Sequence, residues 1–242
     1  DFQFDKIFDK ISSKSNLYIN KSFKIALKIL KEKKCLGLIN GPISKKHFLN
    51  GRSLGITEYL AKKTKNNGNV AMLIFNKKLS VSPITTHLAI KDVHKNITKQ
   101  KIYNHIKLIT EFYKKNFKRK PHIAITGLNP HCESNFRNCE EDRIIIPVIK
   151  SLKAKNFKVE GPFPADTIFM QVHSKKFDVI IGMYHDQVLA PMKTLFAFDA
   201  INITLGLPFI RVSPDHGPNS SMLGKNISNP KSLIEAFKFL DK

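Results

Sequence analysis

Apolar positions along the chain fall into two rhythms. At 20–33, Phe23, Ala26, Leu27 and Leu30 recur every three or four residues, which predicts a helix with one buried stripe. The same spacing over 98–117 puts Ile102, Ile106, Ile109 and Tyr113 on one face of a second helix. Short unbroken apolar runs at 35–39, 69–75, 122–126 and 179–183 predict buried strands, the first of them stopped by Gly41-Pro42. Helices are also predicted over 140–156, 164–175 and 232–240, the last after the turn at Asn229-Pro230. This alternation predicts an α/β fold with a mostly parallel sheet. No repeat or linker divides the 242 residues, so the expectation is a single domain over 1–242, two lobes around a central cleft.

Composition narrows the class. A chain that is 42% hydrophobic and 25% charged has enough apolar surface for a sizeable core. No apolar run reaches the ~20 residues of a membrane helix, and the first residues lack the basic start and apolar core of a signal peptide. Three cysteines (Cys35, Cys132, Cys139), an odd number without zinc-type spacing, favour a reducing compartment and a cytoplasmic protein. The net charge of +22 raises the question of nucleic acid, but only five of the 41 basic residues are arginine. Base-reading surfaces lean on arginine forks and on basic-aromatic interleaving, and the lysines here are scattered over every predicted helix. The expectation is no nucleic-acid and no membrane partner; the positive surface would instead steer a small phosphorylated substrate.

Candidate chemistry gathers where predicted strands give way to loops. His87, His131 and His185 each stand at such a point, and strand ends are where open α/β sheets hold ligands. Three neutral imidazoles with one open position suit a catalytic divalent metal. Taken singly, each reads more readily as a hydrogen-bonded loop histidine, because residues this far apart have no diagnostic spacing. Lys193, Asn202 and Arg211 flank the apolar run 201–210, and a point cation, an amide and a planar guanidinium suit a substrate with carboxylate and phosphate ends. The rival for Lys193 is a solvated helix charge, and for Arg211 an ion pair with Asp215. Asp166 and Glu58 are each open to a role at a helix N-terminus. Asp186 could orient the neighbouring His185 ring. No Gly-x-Gly-x-x-Gly occurs, which argues against a Rossmann dinucleotide site.

Several stretches carry a more specific likeness. Tyr184-His185-Asp186-Gln187, then Asn202-Ile203-Thr204-Leu205-Gly206-Leu207-Pro208-Phe209-Ile210-Arg211, then Asp215-His216-Gly217 resemble the signature of the 4-hydroxythreonine-4-phosphate dehydrogenase family of vitamin B6 synthesis. Gly41-Pro42-Ile43-Ser44-Lys45, Gly55-Ile56-Thr57-Glu58, Thr85-Thr86-His87-Leu88, Asn129-Pro130-His131 and the stretch from Gly161 to Thr167 are similar to further motifs of that family. The resemblance implies the two-lobed fold of the isocitrate and isopropylmalate dehydrogenases. It implies His87, His131 and His185 as ligands of a divalent metal cation (Zn, Mg or Co). Thr57, Lys193, Asn202 and Arg211 would then bind substrate, with Lys193, Asp166 and Asp186 as candidate catalytic groups. It further implies NAD or NADP as hydride acceptor and a homodimer with a shared active site. The reaction implied is oxidation of 4-phosphooxy-threonine to 2-amino-3-oxo-4-phosphooxybutanoate, with decarboxylation to 3-amino-2-oxopropyl phosphate. Gly224-Lys225-Asn226 with Asn229-Pro230 is similar to the nucleotide loop of the related isopropylmalate and isocitrate dehydrogenases.

Four departures modify the expectation. The family's opening Gly-Asp-Pro segment is absent, so the chain reads as N-terminally truncated; Ile56 replaces a histidine; residues 132–139 contain no glycine; and Gly217-Pro218-Asn219-Ser220 replaces Gly-Thr-Ala. Ile56 and the glycine-free loop bear on substrate scope, which keeps a sister dehydrogenase of threonate or erythronate 4-phosphate open. A third reading, of another class, is a non-catalytic basic protein binding anions or nucleic acid by charge alone.

Overall fold

The computed structural model describes residues 3, 11–51, 53–66, 69–133, 138–170 and 176–241. Among them, eight strands make one sheet: β1 (Gly37–Ile39), β2 (Ala71–Phe75), β3 (Ser80–Thr85), β4 (Ile123–Thr126), β5 (Val159–Phe163), β6 (Val179–Tyr184), β7 (Ile201–Leu205) and β8 (Ile210–Pro214). Their order is β1-β8-β7-β2-β3-β6-β4-β5. The outer pairings β1/β8, β3/β6, β6/β4 and β4/β5 are parallel, whereas β8/β7, β7/β2 and β2/β3 in the middle are antiparallel. Helices α1 (Ser13–Lys31), α2 (Lys45–Leu49), α3 (Ile56–Lys63), α4 (Ile90–Val93), α5 (Lys99–Phe117), α6 (Ile146–Ala154), α7 (His185–Phe196) and α8 (Lys231–Leu240) complete the frame.

The strand sequences explain why the sheet is covered on both sides. Side chains alternate across a strand, and in β2 Leu73 and Phe75 enter one core while Met72 and Ile74 enter another. The first core holds the Ile102, Ile106 and Ile109 stripe of α5 with Val148 and Leu152 of α6. The second holds Val188, Leu189 and Met192 of α7. A third cluster joins Phe23, Leu49, Ile56 and Leu60 across α1, α2 and α3. Thr98 starts α5 by accepting the Lys101 N–H at 3.2 Å. Buried His105 on that helix faces Ser82 at 2.6 Å, and burial, helped by Lys101, lowers its pKa to about 3.

Three elements differ from the pattern read in the sequence. The first helix begins at Ser13 because Ser12 and Ser15 form a capping box ahead of the apolar stripe. The apolar run 201–210, for which the pattern predicted no particular element, is the hairpin β7/β8. It turns at Gly206 (φ +85), where a Cβ would lie 2.1 Å from the Asn69 carbonyl oxygen. Residues 165–169, expected as helix, are turns, with Ile168 N–H on the Pro164 carbonyl at 3.2 Å; 171–175 lie outside the described residues.

Candidate active site

Parallel strands β3, β6 and β4 are neighbours, and their carboxyl ends carry the three singled-out histidines. His87 follows β3 by two residues, His185 is the first residue of α7 directly after β6, and His131 lies in the 3-10 turn Pro130–Cys132 beyond β4. Next to these ends is a cavity of about 240 Å³ whose walls include Thr57, His87, His185, Lys193, Asn202 and Arg211. Six of the nine expected site residues therefore meet in one place. His131, Asp166 and Asp186 do not line it.

The basic side chains of the cavity are held in contrasting ways. Arg211, on β8, is 3% exposed; its Nε donates to Asn40 Oδ1 at 2.7 Å and one terminal nitrogen to Thr204 Oγ1 at 3.1 Å. Thr204 in turn lies 3.4 Å from the Thr57 hydroxyl. Burial pulls the Arg211 pKa down to about 10 while the Glu58 charge raises it, so the group remains a cation at neutral pH. No carboxylate pairs with Arg211 among the described residues: the ion pair with Asp215 considered above does not form. Lys193 occupies Asp215 instead, donating to its backbone carbonyl and, at 2.8 Å, to its Oδ2. Lys193 is thus a tethered ammonium at the cavity wall, not a loose helix charge. Burial raises the pKa of the Asp215 carboxyl, with Lys193 and the two histidines His185 and His216 working against it.

Around the histidines, polar groups are packed with little slack. The His87 and His185 rings lie 5.9 Å apart, and His185 Nδ1 is 2.6 Å from the exposed Asp186 carboxylate. A Cβ on Gly55 would sit 2.7 Å from Glu58 Oε2 and 2.8 Å from the His87 ring, so only a glycine lets both side chains press on this backbone. Glu58 accepts from the Thr86 hydroxyl through Oε1 at 3.1 Å, while its Oε2 is buried with no hydrogen-bond partner among the described residues. Asn202 Oδ1, on β7, is in the same condition. Unsatisfied buried oxygens are costly; Glu58 lines a separate cavity of about 250 Å³, and Asn202 lines the histidine cavity, which is able to admit a ligand. Ile56 forms part of both the cavity wall and the third apolar cluster.

A second polar knot lies at the end of β4. The Glu141 carboxylate, fully buried, accepts from Leu128 N–H at 2.7 Å, Asn129 N–H at 2.9 Å and the Asn129 side chain at 2.8 Å. Burial would raise its pKa, but the bonds from Asn129 and Leu128 prevail and hold it below the usual carboxylate range. His131 (φ +56) and Cys132 (φ +62) follow in the left-handed region, and exposed Asp166 bears electrostatically on Cys132. Gln187 reaches the same turn: its Nε2 donates to the Gly127 carbonyl at 2.8 Å, while its Oε1 accepts from Met183 N–H and the Thr126 hydroxyl. Neither Glu141 nor Gln187 was singled out as a site residue in the sequence. Glu141 had a legible signal, since it falls on the same helical face as Ile145, Ile149 and Leu152, where a carboxylate is out of place.

The cavity is lined by three histidines, His87, His185 and His216, and by Asp215, a donor set that fits a divalent cation in kind. Among the described residues, however, no three His, Cys, Asp or Glu side chains gather closely enough to hold one. The stretch 224–230 is exposed and does not line the cavity.

Comparison with known proteins gives a consistent picture. The family described as "Pyridoxal phosphate biosynthetic protein PdxA" matches residues 2–240. A 4-hydroxythreonine-4-phosphate dehydrogenase of Sulfurihydrogenibium sp. is 45% identical over 215 residues, 87% of this chain and 66% of that protein. A D-threonate 4-phosphate dehydrogenase of Pectobacterium atrosepticum is 37% identical over 180 residues, 74% of this chain and 55% of that protein. The crystal structure of 4-hydroxythreonine-4-phosphate dehydrogenase from Klebsiella pneumoniae superposes with a TM-score of 0.81 at 31% identity, covering 96% of this chain and 72% of that one. Isocitrate dehydrogenase from Methylococcus capsulatus, at 11% identity and a TM-score of 0.56, shares the fold alone. The chain spans just under two thirds of the length of the first curated relatives it matches.

Proposed function

The chain belongs to the family of the pyridoxal phosphate biosynthetic protein PdxA, and from that premise we propose that it is an NAD- or NADP-linked dehydrogenase of 4-phosphooxy-threonine. The observation that carries the reading is Arg211: a buried cation without a carboxylate partner, beside the orphan Asn202 oxygen and the tethered Lys193. The buried guanidinium and the Lys193 ammonium are complementary to a small dianion, and the Asn202 oxygen is complementary to a hydroxyl or ammonium on the same molecule. Arg211 would bind an anionic end, Asn202 Oδ1 would accept from a substrate hydroxyl or ammonium, Thr57 would contact the substrate, and Lys193 would donate to its oxygens while Asp215 fixes the lysine ammonium. The product would be the β-keto acid 2-amino-3-oxo-4-phosphooxybutanoate, which loses carbon dioxide to give 3-amino-2-oxopropyl phosphate.

His87, His185 and His131 would hold a divalent cation (Zn, Mg or Co), with Asp186 orienting the His185 ring. When bound, such a cation lowers the pKa of a substrate hydroxyl and stabilises negative charge beside it, and the nicotinamide accepts the hydride. A homodimer with a shared active site is part of this proposal. Asp166 has no contact with the cavity, and its place in the proposal rests on the motif alone. A cytoplasmic location belongs to the same proposal; no helix among the described residues is long and apolar enough to cross a membrane.

A second reading is favoured by Ile56, an apolar side chain where the family motif has a histidine donor. It makes a phosphorylated sugar acid such as D-threonate 4-phosphate the rival substrate. The test is NAD- and NADP-linked oxidation of both compounds, with and without chelator. Turnover of 4-phosphooxy-threonine that ceases on chelation is expected. Preference for the threonate would move the assignment to the sister activity, and turnover of neither would overturn the dehydrogenase reading.

A further inference from the structure

The geometry points to Glu141 as a positioning residue, one whose buried carboxylate builds the turn that presents His131. The inference rests on the proposed reading in which His131 helps to hold a divalent cation.

Glu141 lies in the single π turn Glu141–Ile145 that leads into α6, and it is completely buried. A buried carboxylate normally answers to a cation, yet no ion pair of Glu141 occurs among the described residues. All three of its tight bonds run to Leu128 and Asn129, and Glu140 takes a further Asn129 side-chain N–H at 3.1 Å. An apolar residue would fill this position on the α6 stripe without the desolvation cost, so packing alone does not explain the charge. What the carboxylate supplies is two or three acceptor sites aimed at the backbone just ahead of His131.

That backbone needs them. His131 and Cys132 both adopt positive φ, unfavourable for residues with a Cβ, and the described part of the loop contains no glycine to absorb the turn. Gly127, at the foot of the turn, has no spare room: a Cβ there would lie 2.9 Å from both Glu141 Oε1 and Cys132 Sγ. From the other side Gln187 ties the Gly127 carbonyl to the end of β6, two residues before His185. None of these bonds uses the His131 ring. The network therefore acts on where the ring stands, which is how groups behind a metal ligand tune affinity.

The experiment is a double-mutant cycle read by Co²⁺ titration, using calorimetry and the visible ligand-field absorption, with thermal melts of the metal-free chains. Glu141→Gln keeps the shape and one acceptor. It is expected to weaken Co²⁺ binding by roughly tenfold or more and to alter the Co²⁺ spectrum. In a His131→Ala background it should add no further loss. Equal losses in both backgrounds, or unchanged affinity in Glu141→Gln while His131→Ala is impaired, would overturn the positioning role. Unchanged affinity in His131→Ala would instead overturn the metal reading beneath it. Should Glu141→Gln melt too early to titrate, Asn129→Ala removes one of the three bonds and decides by the same cycle, with a smaller loss expected.

Discussion

The two ends of the β3–β6–β4–β5 sheet region are both densely polar, yet they treat their charges in opposite ways. At the amino ends, Arg119 grips Asp178 through two bonds of 2.6 and 2.7 Å, and Asp178 also accepts the His122 N–H at 2.8 Å. The His122 ring reaches Glu160 at 2.7 Å and the Lys176 carbonyl at 3.1 Å, and Lys176 closes the circuit on Glu160 at 3.3 Å. Arg119, Asp178, His122 and Glu160 of this cluster line an open groove of about 820 Å³, larger than the histidine cavity, and there both carboxylates have basic partners. In the cavity beside the carboxyl ends of β3 and β6, Arg211 from β8 is buried without a carboxylate and Asn202 Oδ1 from β7 has no donor, and close by Glu58 Oε2 has none among the described residues. A closed circuit is complete without a ligand; an open one gains most when a ligand closes it.

The sharpest way to break this contrast is at Arg211. Arg211→Lys keeps a charge but loses the fork that holds Asn40 and Thr204, and kcat/KM for the phosphorylated substrate should fall about a hundredfold or more, ~2.7 kcal/mol of transition-state binding. A variant with wild-type kcat/KM would remove Arg211 from the site. At the other end, Asp178→Asn should leave kcat/KM within error and lower stability instead. Loss of the charge-assisted bonds to Arg119 and the His122 backbone should cost about 2 kcal/mol, or ~4–8 °C in melting temperature for a domain of this size.

The pH dependence gives that variant a second signature. Arg119 and the His122 N–H hold the Asp178 pKa below its ordinary value against burial, which acts upward. Between the two values the unfolded chain binds the proton and the folded one does not, so this stability is present above the ordinary Asp pKa and lost as pH falls through the lowered one. Acid melts of Asp178→Asn should lack that component. The smallest and most diagnostic effect is expected from Asn202→Ala. Removing an orphan acceptor should leave the melting temperature unchanged or slightly higher while kcat/KM falls about tenfold, ~1.4 kcal/mol. A loss of stability with full activity would place Asn202 in the structural class with Asp178.

Much of this was legible before any coordinates. Periodicity located α5 nearly to the residue, because Ile102, Ile106 and Ile109 sit on one stripe and Thr98 caps it. The runs that became β2, β4 and β6 were recognisable because a sheet covered on both faces leaves unbroken apolar sequence. Strands β3, β5, β7 and β8 were harder. β3 contains Ser80, Ser82 and Pro83, and its serines are buried only because His105, Tyr113 and neighbouring carbonyls satisfy them. Nothing in local order says that the apolar run after Asn202 folds back at Gly206.

For the site, the sequence supplied the candidates through histidines after strands, an arginine in a chain that hardly uses one, and above all the likeness to one family's motifs. Only the tertiary structure decided which of them meet. Sheet order set β3 beside β6 and so brought His87 and His185 to one cavity, and the β7/β8 hairpin carried Asn202 and Arg211 to its wall. Lys193 rather than Arg211 took Asp215, an outcome of distances across the fold. His131 was left on its own turn, held by Glu141 from behind. Chemical identity is written in the chain, but partnership depends on which strands lie side by side, and that is settled by the burial of residues far from the site.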